Sequence, residues 1–184
     1  MFASQIDRSC FPQALIVNEL PTSGSNKSQR TTEEKQLSGP ILSLDLGLKR
    51  IGVAVSDPTL VAISRLQPLR RSNWKRLLVD VRALVRRFDA RAVVIGWPLR
   101  LDGIEGEAAG QAEEIARKFA RSLELPVFLQ DERLTSVEAE EQLRAAGCST
   151  KEIAARRDSE SAAIILRDFI AGEQRRIRVS GSLD

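Results

Sequence analysis

From Ile41 onward, three apolar segments follow one another and the chain then alternates helical and extended patterns. That order restricts the fold to an α/β sheet of mixed direction. ILSLDLG (41–47) and RIGVAVSD (50–57) read as two strands joined by a tight connection, and SRLQPL (64–69) as a third ending before the turn-like RRSN. Trp74, Leu77, Leu78, Val81, Leu84, Val85 and Phe88 then recur at helical spacing. AVVIGWPL (92–99) is a compact apolar run that suits a buried parallel strand. A second helix carries Ala108, Ala112, Ile115, Phe119 and Leu123, and VFLQ (127–130) is a further strand. Two last helices are expected, from Ser136 to Ala146 and from Asp158 to about Ala171, each stopped by a glycine, Gly147 and Gly172.

Texture also sets the boundaries. Residues 1–40 hold a Ser-, Thr-, Gly- and charge-rich stretch without apolar periodicity, and read as a disordered extension. Residues 41–172 form the expected folded domain, and 173–184 a basic tail with Arg175, Arg176 and Arg178. No apolar run is long enough to span a bilayer, and the first twenty residues lack the continuous apolar stretch of a secretory signal. The expected setting is cytoplasmic, with no membrane partner.

What the chain lacks narrows its chemistry. It has no histidine and no tyrosine, and Cys10 and Cys148 form no CxxC pair. Histidine-based nucleophile activation and histidine-held metal are thereby excluded, and neither a zinc site nor a disulfide framework is expected. Carboxylates, hydroxyls and basic groups remain, with a hard metal ion as their natural ally. The net charge of +3 permits a polyanionic partner without requiring one.

Three acidic positions stand out. Asp45 closes an apolar strand, where ligand sites of α/β sheets gather, although a plain hairpin turn explains it equally well. Gly47 would let the chain turn sharply, and Gly52 would permit close approach within the second strand. Asp131 and Glu132 end the strand VFLQ, and alternation forbids both from facing Asp45 while extended geometry lasts. Which one does so stays open on pattern alone, as does a surface ion pair with Arg133. Asp158 heads the last helix, where an N-cap is the bland account. Together, three carboxylates on separate elements match the oxygen ligands that Mg²⁺ or Mn²⁺ prefers.

In order along the chain, D45-L-G-L-K-R-I-G-V-A-V-S-D57, V94-I-G-W-P-L-R-L-D-G103, D131-E-R-L-T-S136 and D158-S-E-S-A-A-I-I-L166 resemble the YqgF (RuvX) family. That family is described both as Holliday junction resolvases and as nucleases for the 5′ end of pre-16S ribosomal RNA. The resemblance covers about Ile41 to Ala171. It implies a ribonuclease H-like fold, a five-stranded mixed sheet flanked by helices. It further implies catalytic, metal-binding carboxylates at Asp45, Glu132 and Asp158 with Mg²⁺ or Mn²⁺ between them, and so selects Glu132 over Asp131. Asp131 would then orient Arg133 or accept a hydrogen bond behind the site. Lys49, Arg50 and Arg133 are placed to meet a substrate phosphate, and Arg100, with Asp102 and Gly103, to form a loop over the site. Two departures from the family pattern are Trp97, in place of an aliphatic residue, and Arg157, in place of a small one. Arg157 is set to pair with Asp158, and Trp97 either packs in the core or stacks on a base.

The leading expectation is therefore metal-dependent phosphodiester hydrolysis in 5′-end processing of pre-16S rRNA, leaving a 3′ hydroxyl and a 5′ phosphate. A junction resolvase acting on branched DNA is the alternative, and a non-catalytic nucleic-acid or ribosome-assembly module a further one. The partner is nucleic acid, structured RNA or branched DNA, met by a monomer or a homodimer. A nucleotide-binding enzyme of the actin and sugar-kinase type shares the acid–glycine hairpin, but this chain is short for its two duplicated domains. The many arginines between Arg65 and Arg91 are first a solvated face, and second a phosphate-tracking surface.

Overall fold

The structure is a computed structural model and describes residues 15–16, 39–100, 105–132, 135–172 and 176–180. Its elements are β1 (Leu15–Ile16), β2 (Ile41–Asp45), β3 (Arg50–Ser56), β4 (Ala62–Arg70), α1 (Trp74–Phe88), β5 (Ala92–Trp97), α2 (Glu107–Leu123), β6 (Val127–Asp131), α3 (Thr135–Ala145), α4 (Thr150–Ala171) and β7 (Arg176–Val179). One sheet runs β1-β4-β3-β2-β5-β6-β7. The pairs β2–β3, β3–β4 and β6–β7 are antiparallel, whereas β2–β5 and β5–β6 are parallel.

The five expected strands form the middle of this sheet. Two short ones add to its edges: β1 pairs with β4 through two residues, and β7 pairs with β6. Residues 176–179 thus form an edge strand inside the stretch read as a basic tail. Alternating Arg and aliphatic residues in RIRV satisfy β pairing on one side while charge blunts the other. Residues 173–175 and 181–184, and residues 1–14 and 17–38, lie outside the described residues.

Alternation along the strands sorts the core into two layers. Leu42, Leu44, Val53, Val55, Val93, Ile95, Trp97, Val127 and Leu129 pack with Leu77 and Val81 of α1 and with Ala112, Ala116 and Phe119 of α2. Ile41, Ala54, Ala92, Val94 and Phe128 pack with Ala162, Ala163, Ile165, Leu166 and Phe169 of α4. Small residues on α4 let it lie close across β2, β3 and β4. Trp97 is fully buried, so core packing rather than base stacking is its role.

The largest difference from expectation is the start of α4, eight residues before Asp158. Ser149 caps it: the Ser149 hydroxyl accepts from the Glu152 backbone N–H, and the Glu152 carboxylate accepts from the Ser149 N–H at 2.8 Å. This capping box, S-T-K-E, supersedes the Asp158 N-cap. The glycine stops at Gly147 and Gly172 stand, both with positive φ.

Arg65 and Glu160 form a two-pronged, nearly buried ion pair that ties β4 to α4. Arg65 therefore belongs to the interior and not to a phosphate-facing surface. Leaving either charge alone in that interface is costly. Glu160→Gln should lower unfolding free energy by about 3 kcal/mol, as urea denaturation will measure. An unchanged midpoint would show the pair to be solvent-relaxed.

Candidate active site

Asp45, Glu132 and Asp158 meet at one end and on one face of the sheet. Asp45 follows Ile41 and Ser43 on the α4 side of β2, and its register partner in β3 is Gly52. A Cβ at Gly52 would fall deep inside the van der Waals envelope of the Asp158 backbone carbonyl. Only a glycine lets α4 come down on β3 at this point, which sets Asp158 beside Asp45. The β3–β4 ladder slips between Ile51 and Val53, opposite Pro68, which has no N–H to offer.

Pairing also separates Asp131 from Glu132. Asp131 is in register with Trp97 and buried on the α1–α2 side of the sheet. Glu132 follows on the opposite side, where its carboxylate occupies the space a Cβ would take at Gly96. Gly96 follows directly on Ile95, the register partner of Leu44, so the Glu132 carboxylate lies next to Asp45. The glycine of GWPL therefore holds a vacancy for an acid, a function the sequence pattern did not reveal.

Electrostatics registers the crowding. Burial, and then the charge of Asp158, push the Asp45 carboxyl up to about 6, against a smaller opposing effect of Arg157. Burial raises Glu132 well above the usual carboxylate range, helped by the charges of Asp45 and Asp131. Asp158 is engaged otherwise: the Arg50 Nε lies 2.8 Å from its Oδ2, and the same guanidinium donates to the Ala154 carbonyl at 2.6 Å. Arg157, the partner expected for Asp158, reaches it in a long ion pair at 3.9 Å and makes a shorter one with Glu140 at 3.1 Å. Among the described residues no three acidic groups form a ready-made ion cage.

The expected phosphate contacts fare differently. Lys49 is exposed at the tip of the β2–β3 hairpin, and Arg50 is committed to α4. Arg100 is exposed, with its side chain near Gly106. Arg133 lies outside the described residues, as do Asp102 and Gly103. Arg71, not singled out for the site, braces the hairpin from below. Its guanidinium donates to the Gly47 carbonyl at 2.9 Å, and its N–H to the Lys49 carbonyl at 3.0 Å. Gly47 has no positive φ; its lack of a Cβ is needed because the Arg50 carbonyl oxygen would lie 2.6 Å away.

A family profile described as "RuvX: Holliday junction resolvase" matches residues 39–172. The chain belongs to the RuvX family. Among relatives, a Koribacter versatilis protein named "Putative pre-16S rRNA nuclease" is 39% identical over 138 residues, 75% of this chain and 90% of its own. An Anaeromyxobacter protein (strain Fw109-5) of the same name is 40% identical over 131 residues, 71% of this chain and 96% of its own. Thermus thermophilus RuvC in complex with a Holliday junction superposes with a TM-score of 0.48 at 15% identity, covering 72% of this chain and 94% of that one. The RuvX match and the mixed sheet with flanking helices agree with the ribonuclease H-like architecture expected from the sequence. Among the described residues no helix is long and apolar enough to cross a membrane.

Proposed function

We propose that this RuvX-family chain is a divalent-metal-dependent nuclease acting in 5′-end processing of pre-16S rRNA, with Asp45, Glu132 and Asp158 as its metal-binding carboxylates. The observation that carries the reading is the raised pKa of two neighbouring acids, Asp45 and Glu132, with Asp158 adding to the repulsion. A cluster of like charges partly withdrawn from water is unfavourable by itself and becomes favourable around a cation. The donor set is all oxygen, which fits Mg²⁺ or Mn²⁺ and not a thiophilic metal.

Such an ion, when bound, supplies an activated water and neutralises charge on the phosphate. The chain's own residues do the rest. Gly96 and Gly52 keep the Glu132 carboxylate and the Asp158 backbone close to Asp45. Arg71 stiffens the hairpin that carries Lys49, an exposed cation four residues after Asp45 that can meet a substrate phosphate. Arg100 lies after the Gly96 strand and is suited to a more distant phosphate. Arg133 and Arg50 complete the basic set, the latter once its hold on Asp158 is loosened.

The names of the relatives favour a precursor rRNA as substrate; the family description favours branched DNA as the alternative. Labelled pre-16S rRNA 5′ leader, a four-way DNA junction and single strands, each with Mg²⁺, Mn²⁺ or EDTA, separate them. We expect leader cleavage with 5′-phosphate ends, abolished by EDTA. Cleavage of the junction alone makes the protein a resolvase, and metal-independent binding without cleavage of any substrate makes it a non-catalytic module. Sedimentation alongside decides between monomer and homodimer.

A further inference from the structure

Among the described residues Arg50 makes a short ion pair with one of the proposed metal-binding acids, closer than the 3.9 Å contact of Arg157. Its Nε sits 2.8 Å from Asp158 Oδ2, and its terminal nitrogen donates to the carbonyl of Ala154, one helical turn earlier on α4. The guanidinium thus spans 104 residues of chain to clasp the helix that carries Asp158. It is 42% exposed, while Asp158 is 14% exposed, so the pair lies at the mouth of the site with the arginine on the solvent side. An arginine there can swing outward at little cost in desolvation. The carboxylate, held on a helix seated over Gly52, cannot follow it.

The geometry points to Arg50 as the stand-in counter-ion of the metal-free site: it holds Asp158 until a divalent cation takes that carboxylate, and metal binding releases it. This inference rests on the proposed reading of Asp45, Glu132 and Asp158 as ligands. Two cations cannot both claim Asp158 at full strength, because a positive charge a few ångströms from a bound dication repels it strongly in a partly buried setting. Arg50 therefore opposes metal binding while stabilising the empty protein. A residue that merely positions Asp158 would do the opposite and favour metal binding. A residue that only contacts substrate would leave metal affinity untouched.

The test is Mn²⁺ affinity, read by electron paramagnetic resonance of the free ion, on the full chain without nucleic acid. Arg50→Met removes the charge and keeps the aliphatic stem, and Arg50→Lys keeps the charge. We expect Arg50→Met to bind Mn²⁺ about three- to tenfold more tightly than wild type. Arg50→Lys should stay near the wild-type affinity. In EDTA, Arg50→Met should melt roughly 2–4 °C lower, and saturating Mn²⁺ should recover the loss. Unchanged or weaker Mn²⁺ binding by Arg50→Met, with wild-type binding intact, overturns the exchange. Equal tightening in Arg50→Lys, which retains the charge, also overturns it. If wild type binds no Mn²⁺, or binds it equally well as Asp45→Asn, the ligand assignment itself fails and this inference falls with it.

Discussion

Asp45→Asn is expected to abolish cleavage and, in the same protein, to raise the melting temperature of the metal-free form at pH 8. The loss of activity, about 100-fold or more, follows from removing a proposed metal ligand. The gain in stability follows from the raised carboxyl. With a folded value of about 6 against an ordinary 3.8, the folded state holds the proton more tightly than the unfolded state does. Between those two values folding takes up a proton, so stability falls as pH rises through the window. Below about pH 4 Asp45 is neutral in both states and no penalty exists. Above about pH 6 the penalty is complete. A displacement of that size corresponds to roughly 3 kcal/mol as an upper bound. Residual solvent access and relaxation around the neutral amide leave about 1–2 kcal/mol to be regained. Thermal melts in EDTA at pH 4, 6 and 8 should therefore show curves of wild type and variant that coincide at pH 4 and separate at pH 8. A variant that melts lower at pH 8 would mean that Asp45 carries a stabilising contact instead of a buried repulsion.

The two glycines under the acids should respond differently to one added methyl group. At Gly52 the group in the way is the Asp158 backbone carbonyl, inside a regular helix whose next turns are packed on β2 and β3. Neither side can yield without lifting α4, so Gly52→Ala should cost about 3 kcal/mol or more and remove activity with it. At Gly96 the obstruction is the end of the Glu132 side chain, with the Ile165 Cδ1 at 2.8 Å. A carboxylate can swing away and a terminal methyl can shift, so Gly96→Ala should cost about 1 kcal/mol yet lose cleavage and weaken Mn²⁺ binding. Urea unfolding beside a cleavage assay separates the two cases. Equal stability losses would place the Glu132 backbone, and not its carboxylate, against Gly96.

These contrasts show where sequence pattern is sufficient. The strands through Ile41–Asp45, Arg50–Ser56, Ala92–Trp97 and Val127–Asp131 follow from β-branched and apolar runs bounded by turns. Helix α1 follows from its apolar period. The start of helix α4 is hidden in the sequence because Asp158 looks like a cap, while the true cap, Ser149 with Glu152, lies in a polar stretch that lacks apolar periodicity. Hairpin and helix signals act over a few residues, so they read well; edge strands such as Arg176–Val179 depend on a neighbour distant in sequence.

Residue types and spacing are enough to define the available chemistry: carboxylates without histidine, placed at strand ends and on a helix, on a scaffold of mixed α/β type. The chain's resemblance to a known family selected Asp45, Glu132 and Asp158. How these acids come together is set by packing in three dimensions. Register puts Asp131 and Glu132 on opposite faces, Gly52 and Gly96 hold the gaps that admit Asp158 and Glu132, and Arg50 grips the Asp158 carboxylate more closely than Arg157 does. The physical reason is that each is a contact across the sheet, between residues far apart in the chain, set by side-chain volume and charge where elements pack and not by any local propensity.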